Sequence, residues 1–156
     1  NHNYYSNYNN RTIDGKIVSA NNYENSDIRS WLNDEFYNKA FALNNAFIKT
    51  SALETTYDKV YLPSYQDYLE FDYGFDVKNS VSSTRECKTT DYSRATGSWS
   101  SSDSKLKNNG TYWTRTPSNE YYYCAMNVNS GGYISAYAVD GTSHSVRPCI
   151  SIYFND

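Results

Sequence analysis

Long apolar runs are missing from this sequence, and so is any cluster of basic residues. No stretch approaches the roughly 20 apolar residues that a membrane-spanning helix needs, so direct membrane insertion is not expected. Lysine and arginine number 14 against 17 acidic residues, a formal net charge of −3. They are scattered along the chain, and the basic stripe that grips nucleic acid phosphates is absent. Cysteine is scarce too. Cys87, Cys124 and Cys149 form an odd set without C-x-x-C spacing. That pattern argues against zinc and dithiol redox chemistry and leaves room for one internal disulfide at most. Leu, Ile, Val and Phe are few enough to raise the question of disorder. The 18 tyrosines and three tryptophans answer it, because each brings a large apolar body that disordered chains lack. A length of 156 residues then suits one domain, spanning 1–156, with a folded core and a surface rich in Tyr, Asn and Ser.

Asp14-Gly15 is a good tight turn and predicts a small hairpin from residues 11–13 and 16–18. The clearest helix follows over 26–38. Ser26 is a natural N-cap, Asp27 lies in the first turn, and Ile28, Trp31, Leu32 and Phe36 share one face. Trp31 is expected to anchor that face in the core. A second helical stretch is expected around 43–48. Residues 58–62 read as a strand with Val60 and Leu62 inward. Pro63-Ser64 ends it, and Ser64 can cap a short helix through Leu69 or Phe71. The span 72–110 is polar, and so long a loop in a small domain is normally functional or mobile. Beyond it, 111–116, 121–129, 133–139 and 146–154 are all strand-like, and their short connections make them antiparallel neighbours. Helices followed by a strand meander give the α+β class.

Five blocks then stand out in order. They are Tyr23-Glu24-Asn25-Ser26-Asp27-Ile28-Arg29-Ser30-Trp31-Leu32-Asn33 with Phe36-Tyr37 and Ala40-Phe41, then Asp58-Lys59-Val60-Tyr61-Leu62-Pro63-Ser64, Thr90-Asp91-Tyr92, Tyr112-Trp113-Thr114-Arg115-Thr116-Pro117 and Val146-Arg147-Pro148-Cys149-Ile150. From residue 11 to the end the chain resembles an uncharacterised domain family of secreted and surface proteins of anaerobic bacteria. That family is similar to the formylglycine-generating-enzyme (sulfatase-modifying factor) branch of the C-type-lectin-like fold. The resemblance implies a C-type-lectin-like domain of two or three short helices, an antiparallel strand meander and long polar loops. It implies an extracellular or cell-surface location, and a start inside the full domain, with strands upstream of Asn1. Formylglycine generation depends on a reactive cysteine pair that has no convincing match here, so that activity is not carried over. Cys149 stands where the family has a small apolar residue, which leaves a bond to Cys124 open.

Catalysis has little to work with. His2 lies in a terminus expected to fray, and His144 sits in a polar loop near Asp140, Ser143 and Ser145, where adjacency in sequence is no sign of triad geometry. Asp34 and Glu35 are neighbours on a helix and cannot converge, while Asp72 and Asp76 lie in a polar loop. The Glu-Pro-Asn and Gln-Pro-Asp sugar-binding calcium motifs are absent; a solvated surface is the expected reading, with no metal or cofactor, and a calcium in the loop is the minor alternative. Trp113 is read as a core residue with Trp31, and Trp99 as an exposed aromatic. Arg115 and Arg147 are read as structural forks tying strands to loop carboxylates.

The tyrosines carry the functional expectation. Alternation places Cys124, Met126 and Val128 on one side of 121–129, with Tyr121, Tyr123, Ala125, Asn127 and Asn129 on the other. In 133–139, Tyr133, Ser135 and Tyr137 face out if Ile134, Ala136 and Ala138 face in. With His144 these residues form the candidate binding surface, since Tyr, Asn and Ser are the mixture that recognition loops use. A compositional bias of an AT-rich coding sequence explains the same residues, and both explanations stand. The expected function is a non-catalytic, adhesive module for a protein or glycan ligand. The alternative is a structural subunit that self-associates, or packs on neighbouring domains of a larger surface protein, through the same face.

Overall fold

The computed structural model describes residues 1–43 and 45–153. Asp14 and Gly15 both adopt positive φ, 49° and 75°, the pair a type I′ turn requires. They close a hairpin of β1 (Arg11–Ile13) and β2 (Lys16–Val18). The helical stretch begins as expected at Ser26, whose hydroxyl accepts from Arg29 N at 3.2 Å and donates to Tyr23 O at 2.8 Å. It runs as α1 (Asp27–Trp31), a π-helical turn over Leu32–Phe36 and α2 (Tyr37–Ala40). Its anchors are Ile28 and Leu32, both fully buried. Trp31 is half-buried instead, its ring between His2 and Phe36 at centroid distances of 5.0 and 5.2 Å. The i, i+4 pair Ile28/Leu32 points straight inward and leaves Trp31 on the shoulder of the stripe.

The second expected helix does not form. Leu43 is 95% exposed, Asn45–Phe47 makes one 3₁₀ turn, and the buried Ile48 opens β3 (Ile48–Lys49); Asn44 lies outside the described residues. A stretch with neither a cap nor a packed face has little to hold it helical. Next, β4 (Ser51–Ala52) pairs with β5 (Tyr57–Asp58). The strand expected over 58–62 is cut to β5, although Val60 and Leu62 are fully buried. The Asn33 amide replaces a strand partner there: its Oδ1 accepts from Lys59 N (2.8 Å) and Val60 N (3.2 Å), and its Nδ2 donates to Val60 O (2.9 Å). Ser64 forms a reciprocal cap with Asp67, followed by two 3₁₀ turns, Asp67–Leu69 and Phe71–Tyr73, where one helix was expected.

The principal sheet is antiparallel, in the order β6 (Tyr112–Pro117), β7 (Cys124–Val128), β8 (Ile134–Ala138). With the helices this is an α+β fold. The last expected strand does not join the meander. Ser145 bridges to Tyr112, Cys149 bridges to Tyr61, and β9 (Ser151–Ile152) pairs with β3. The C-terminal segment is thus stitched to three separate parts of the chain, and Pro148, which has no N–H to give, interrupts it. Phe154 lies outside the described residues. Cys87, Cys124 and Cys149 carry free thiols.

Both faces of the sheet are covered. On one lie Trp113 and Ala125 with Tyr4, Tyr23, Ile28, Leu32, Val60, Leu62 and Val139. On the other lie Tyr112, Val128 and Ile134 with Tyr68. The terminus expected to fray is part of the first core: Tyr4 N and Tyr5 N donate to Val139 O, and Trp113 Nε1 donates to His2 O at 2.9 Å.

Residues 72–110 are organised around Arg85, which is fully buried without a carboxylate partner among the described residues. Its Nε donates to Gly132 O (2.7 Å), Nη1 to Tyr68 O (3.2 Å) and Asp76 O (2.7 Å), and Nη2 to Lys78 O (2.9 Å) and Ser80 O (2.7 Å). Gly132 (φ 77°) must be glycine, since a Cβ there would lie 1.9 Å from Ser82 O. Farther on, Thr90 caps α3 (Asp91–Ala95), its hydroxyl accepting from Ser93 N at 3.1 Å. Replacing Arg85 with Met leaves buried carbonyls without donors, each costing about 1–3 kcal/mol. The expected loss is at least 3 kcal/mol in urea unfolding, and a loss below about 1 kcal/mol would show that water replaces the guanidinium.

Candidate binding surface

The register sets Asn127 opposite Ser135 and Ala125 opposite Tyr137, so these side chains share a sheet face as expected. That face is roofed. The His144 ring stacks on Trp113 with centroids 4.1 Å apart, and Tyr137 leans on His144 at 4.5 Å. Asn127 contacts His144 Nε2 at 3.0 Å and accepts from Ser135 Oγ at 2.9 Å. Asn127 and His144 are only 3% and 2% exposed. Both leave the candidate surface and belong to the packing around Trp113. Ser135 is half-buried, holding Asn127. Asn129 is a turn residue, its Oδ1 accepting from Gly131 N (2.9 Å) and Tyr133 N (3.1 Å).

What stays open is aromatic. Tyr121 and Tyr137 are each 48% exposed and Tyr122 is 49% exposed. The Tyr121 and Tyr122 rings lie 5.7 and 5.2 Å from that of the half-buried Tyr123. Val139 N donates to Tyr123 O at 2.9 Å, which extends the register one step and sets Tyr123 diagonal to Tyr137 on one face. The turn that presents these rings is held from beneath. Asn21 Nδ2 reaches Ser118 O, Tyr121 O and Cys124 O at 2.9–3.1 Å, and Asn21 N donates to Tyr122 O at 3.0 Å. Alternation carried back through 121–123 leaves Tyr122 off the outward face, but the strand starts at Cys124 and Tyr122 lies on the turn before it. Tyr133 is not brought to this ridge. It stands four residues from Tyr137, about 13 Å along the strand, beside a groove of about 730 Å³ that Met126, Ala136 and Pro117 help to line.

The two arginines differ. Arg115 is a filled fork: Nε and Nη2 take both oxygens of Glu54 at 3.0 and 2.8 Å, and Nη1 takes Asp67 Oδ2 (2.7 Å) and Leu62 O (3.0 Å). Arg147 has no carboxylate within 4.0 Å among the described residues, and its Nη1 reaches only the Tyr112 hydroxyl, at 3.3 Å. Both line one cleft of about 390 Å³.

The family model for the Domain of unknown function DUF6273 matches residues 2–154. The chain belongs to the DUF6273 family. No curated protein and no solved structure matches it.

In this DUF6273 domain the burial of His144 has a measurable consequence. Burial lowers its pKa from the usual 6.5 to about 4, and its Nδ1 has no partner among the described residues. As pH falls from about 6.5 to 4, the unfolded chain binds a proton there that the folded protein does not. Stability present above pH 6.5 is therefore lost on acidification. Between pH 7 and 4.5 the wild type should lose about 2 kcal/mol more than His144→Gln in urea titrations. Equal losses would assign the acid sensitivity to other groups.

Proposed function

We propose that this domain is a non-catalytic recognition module, working outside the cell or on its surface, that binds a protein or glycan through a tyrosine ridge. The observation that carries the proposal is the contiguous set of Tyr121, Tyr122 and Tyr123 rings on a turn pinned by Asn21, beside Tyr137 braced on His144. Pinned aromatic rings supply contact area with little entropy left to lose on binding. Exposed aromatics grouped on a rigid turn are also a solubility burden unless a partner covers them. The fold proposed is C-type-lectin-like. Helices precede an antiparallel meander, a long ordered loop precedes the sheet, and a C-terminal segment returns to pair with earlier chain, which supports that assignment.

Replacing Tyr121, Tyr122 and Tyr137 together with Ser tests it. Interface aromatics contribute about 2 kcal/mol or more each, so binding to glycan arrays and surface-protein panels should fall by at least about 30-fold per lost anchor. The variant should stay folded: Tyr121 and Tyr122 stand on the turn outside the core, and loss of the Tyr137 ring that covers His144 should cost roughly 1–2 kcal/mol. A wild-type ligand profile in the folded variant defeats the ridge hypothesis. Loss of self-association instead, seen by sedimentation, makes the ridge an assembly surface.

A further inference from the structure

Arg115 and Arg147 enter one cleft of about 390 Å³ on opposite terms. Arg115 has every side-chain nitrogen occupied by Glu54, Asp67 or the Leu62 carbonyl. Arg147 is half-buried, with its guanidinium 5.5 Å over the Tyr112 ring and one contact, to the Tyr112 hydroxyl. That hydroxyl already donates to Arg85 O at 2.6 Å, so it is filled from both sides. A guanidinium carries five N–H donors, and shielding it without an anion is costly.

A second unfilled donor lines the same cleft. Tyr68 is 1% exposed, and its hydroxyl has no hydrogen-bond partner among the described residues. Asp67, the one carboxylate in the lining, is engaged by Arg115 and by Ser64 N. Cys149 adds no negative charge at neutral pH, because burial pushes its thiol pKa up. Glu54 and Asp67 are both spent on Arg115, so the cleft keeps an unpaired Arg147 guanidinium and an unfilled Tyr68 donor. Its other walls include Leu53, Tyr73, Phe75 and Pro148, which are apolar or aromatic.

We propose that this cleft binds a small carboxylate with an apolar or aromatic body, at a site separate from the tyrosine ridge. The Arg147 fork takes the carboxylate oxygens, the Tyr68 hydroxyl donates to one of them, and the body lies against Tyr73, Phe75 and Pro148. One unpaired arginine suits a monoanion, whereas phosphate dianions call for several cations or a ring of backbone N–H groups. The volume is near the lower end for small-molecule sites, about 300–1,000 Å³. A free metabolite and the C-terminus of a peptide share this chemistry.

The test is a titration of the isotope-labelled full chain followed by nuclear magnetic resonance. The probes are benzoate, its neutral analogue benzamide, and acetyl-Gly-Gly-Phe as free acid and as amide. Benzoate should shift resonances of residues 67–75 and 146–149 with a dissociation constant near 1 mM, and benzamide should bind at least about tenfold more weakly. Arg147→Gln should weaken benzoate by about tenfold or more. Tyr68→Phe, which removes one oxygen and should not lower the melting temperature, should weaken it several-fold. A peptide acid that binds more tightly than benzoate, with its amide inactive, makes a peptide C-terminus the source; the reverse order favours a free metabolite. The proposal is overturned if benzamide matches benzoate, if neither carboxylate shifts these residues at about 10 mM, or if both folded variants bind as the wild type does.

Discussion

One guanidinium holds the less regular half of this protein together. Arg85 donates to five carbonyls, on Tyr68, Asp76, Lys78, Ser80 and Gly132, and so joins a 3₁₀ turn, a polar loop and the β7–β8 connection. A cation this deeply buried would ordinarily need a carboxylate. Here carbonyl dipoles converge on it instead, and each carbonyl is also relieved of being buried without a donor. The second core depends on the same arrangement, since Tyr112, which packs on Tyr68 at 5.5 Å, gives its hydroxyl to the Arg85 carbonyl.

Asparagine amides do similar work elsewhere. Asn33 pairs with the 59–60 backbone, and Asn79 pairs with both groups of Ile134, accepting from its N at 2.9 Å and donating to its O at 3.0 Å. A primary amide carries the donor and acceptor of a peptide unit, so it can terminate a strand edge without another strand. That closes part of the β8 edge, where an open row of N–H and C=O groups invites unwanted pairing. A compositional bias would account for the number of asparagines, but not for Asn21, Asn33, Asn79 and Asn127 standing where backbone groups or a ring nitrogen need partners.

The features legible in the sequence are local ones. Ser26, Asp14-Gly15 and the three turns of the last third act over two to four residues, and a single chain displays them directly. The sheet faces are not legible locally, because what covers them comes from far away in the chain. Strand alternation predicts a wet face only when nothing packs on it; here residues 2–5 and the His144 loop supply the cover, which moved Asn127 and His144 from the expected surface into the core. Arg85 is hidden differently: three of its partners are carbonyls only five to nine residues away, in a segment whose composition reads as loop, and only Tyr68 and Gly132 lie farther off, at 17 and 47 residues. Arg115 and Arg147 looked alike in sequence, and only the fold distinguishes them, by bringing Glu54 and Asp67 to one and no carboxylate among the described residues to the other.

Covering both sides of the central sheet has a further consequence for where ligands can meet this domain. Side chains on β7 are largely consumed by the two cores, so the proposed binding surfaces fall on elements that emerge from them. The tyrosine turn before β7 projects aromatic rings without exposing the sheet, and the cleft lies where the C-terminal segment crosses Tyr61 and β6 by single bridges. Both places border non-repetitive backbone, yet side-chain bonds from Asn21 at one and Arg115 at the other hold them in place. Loops fixed in this way can vary their outward residues at little cost to the cores. Such a separation of scaffold from surface suits the binding role proposed above, since stability and specificity would then rest on different residues.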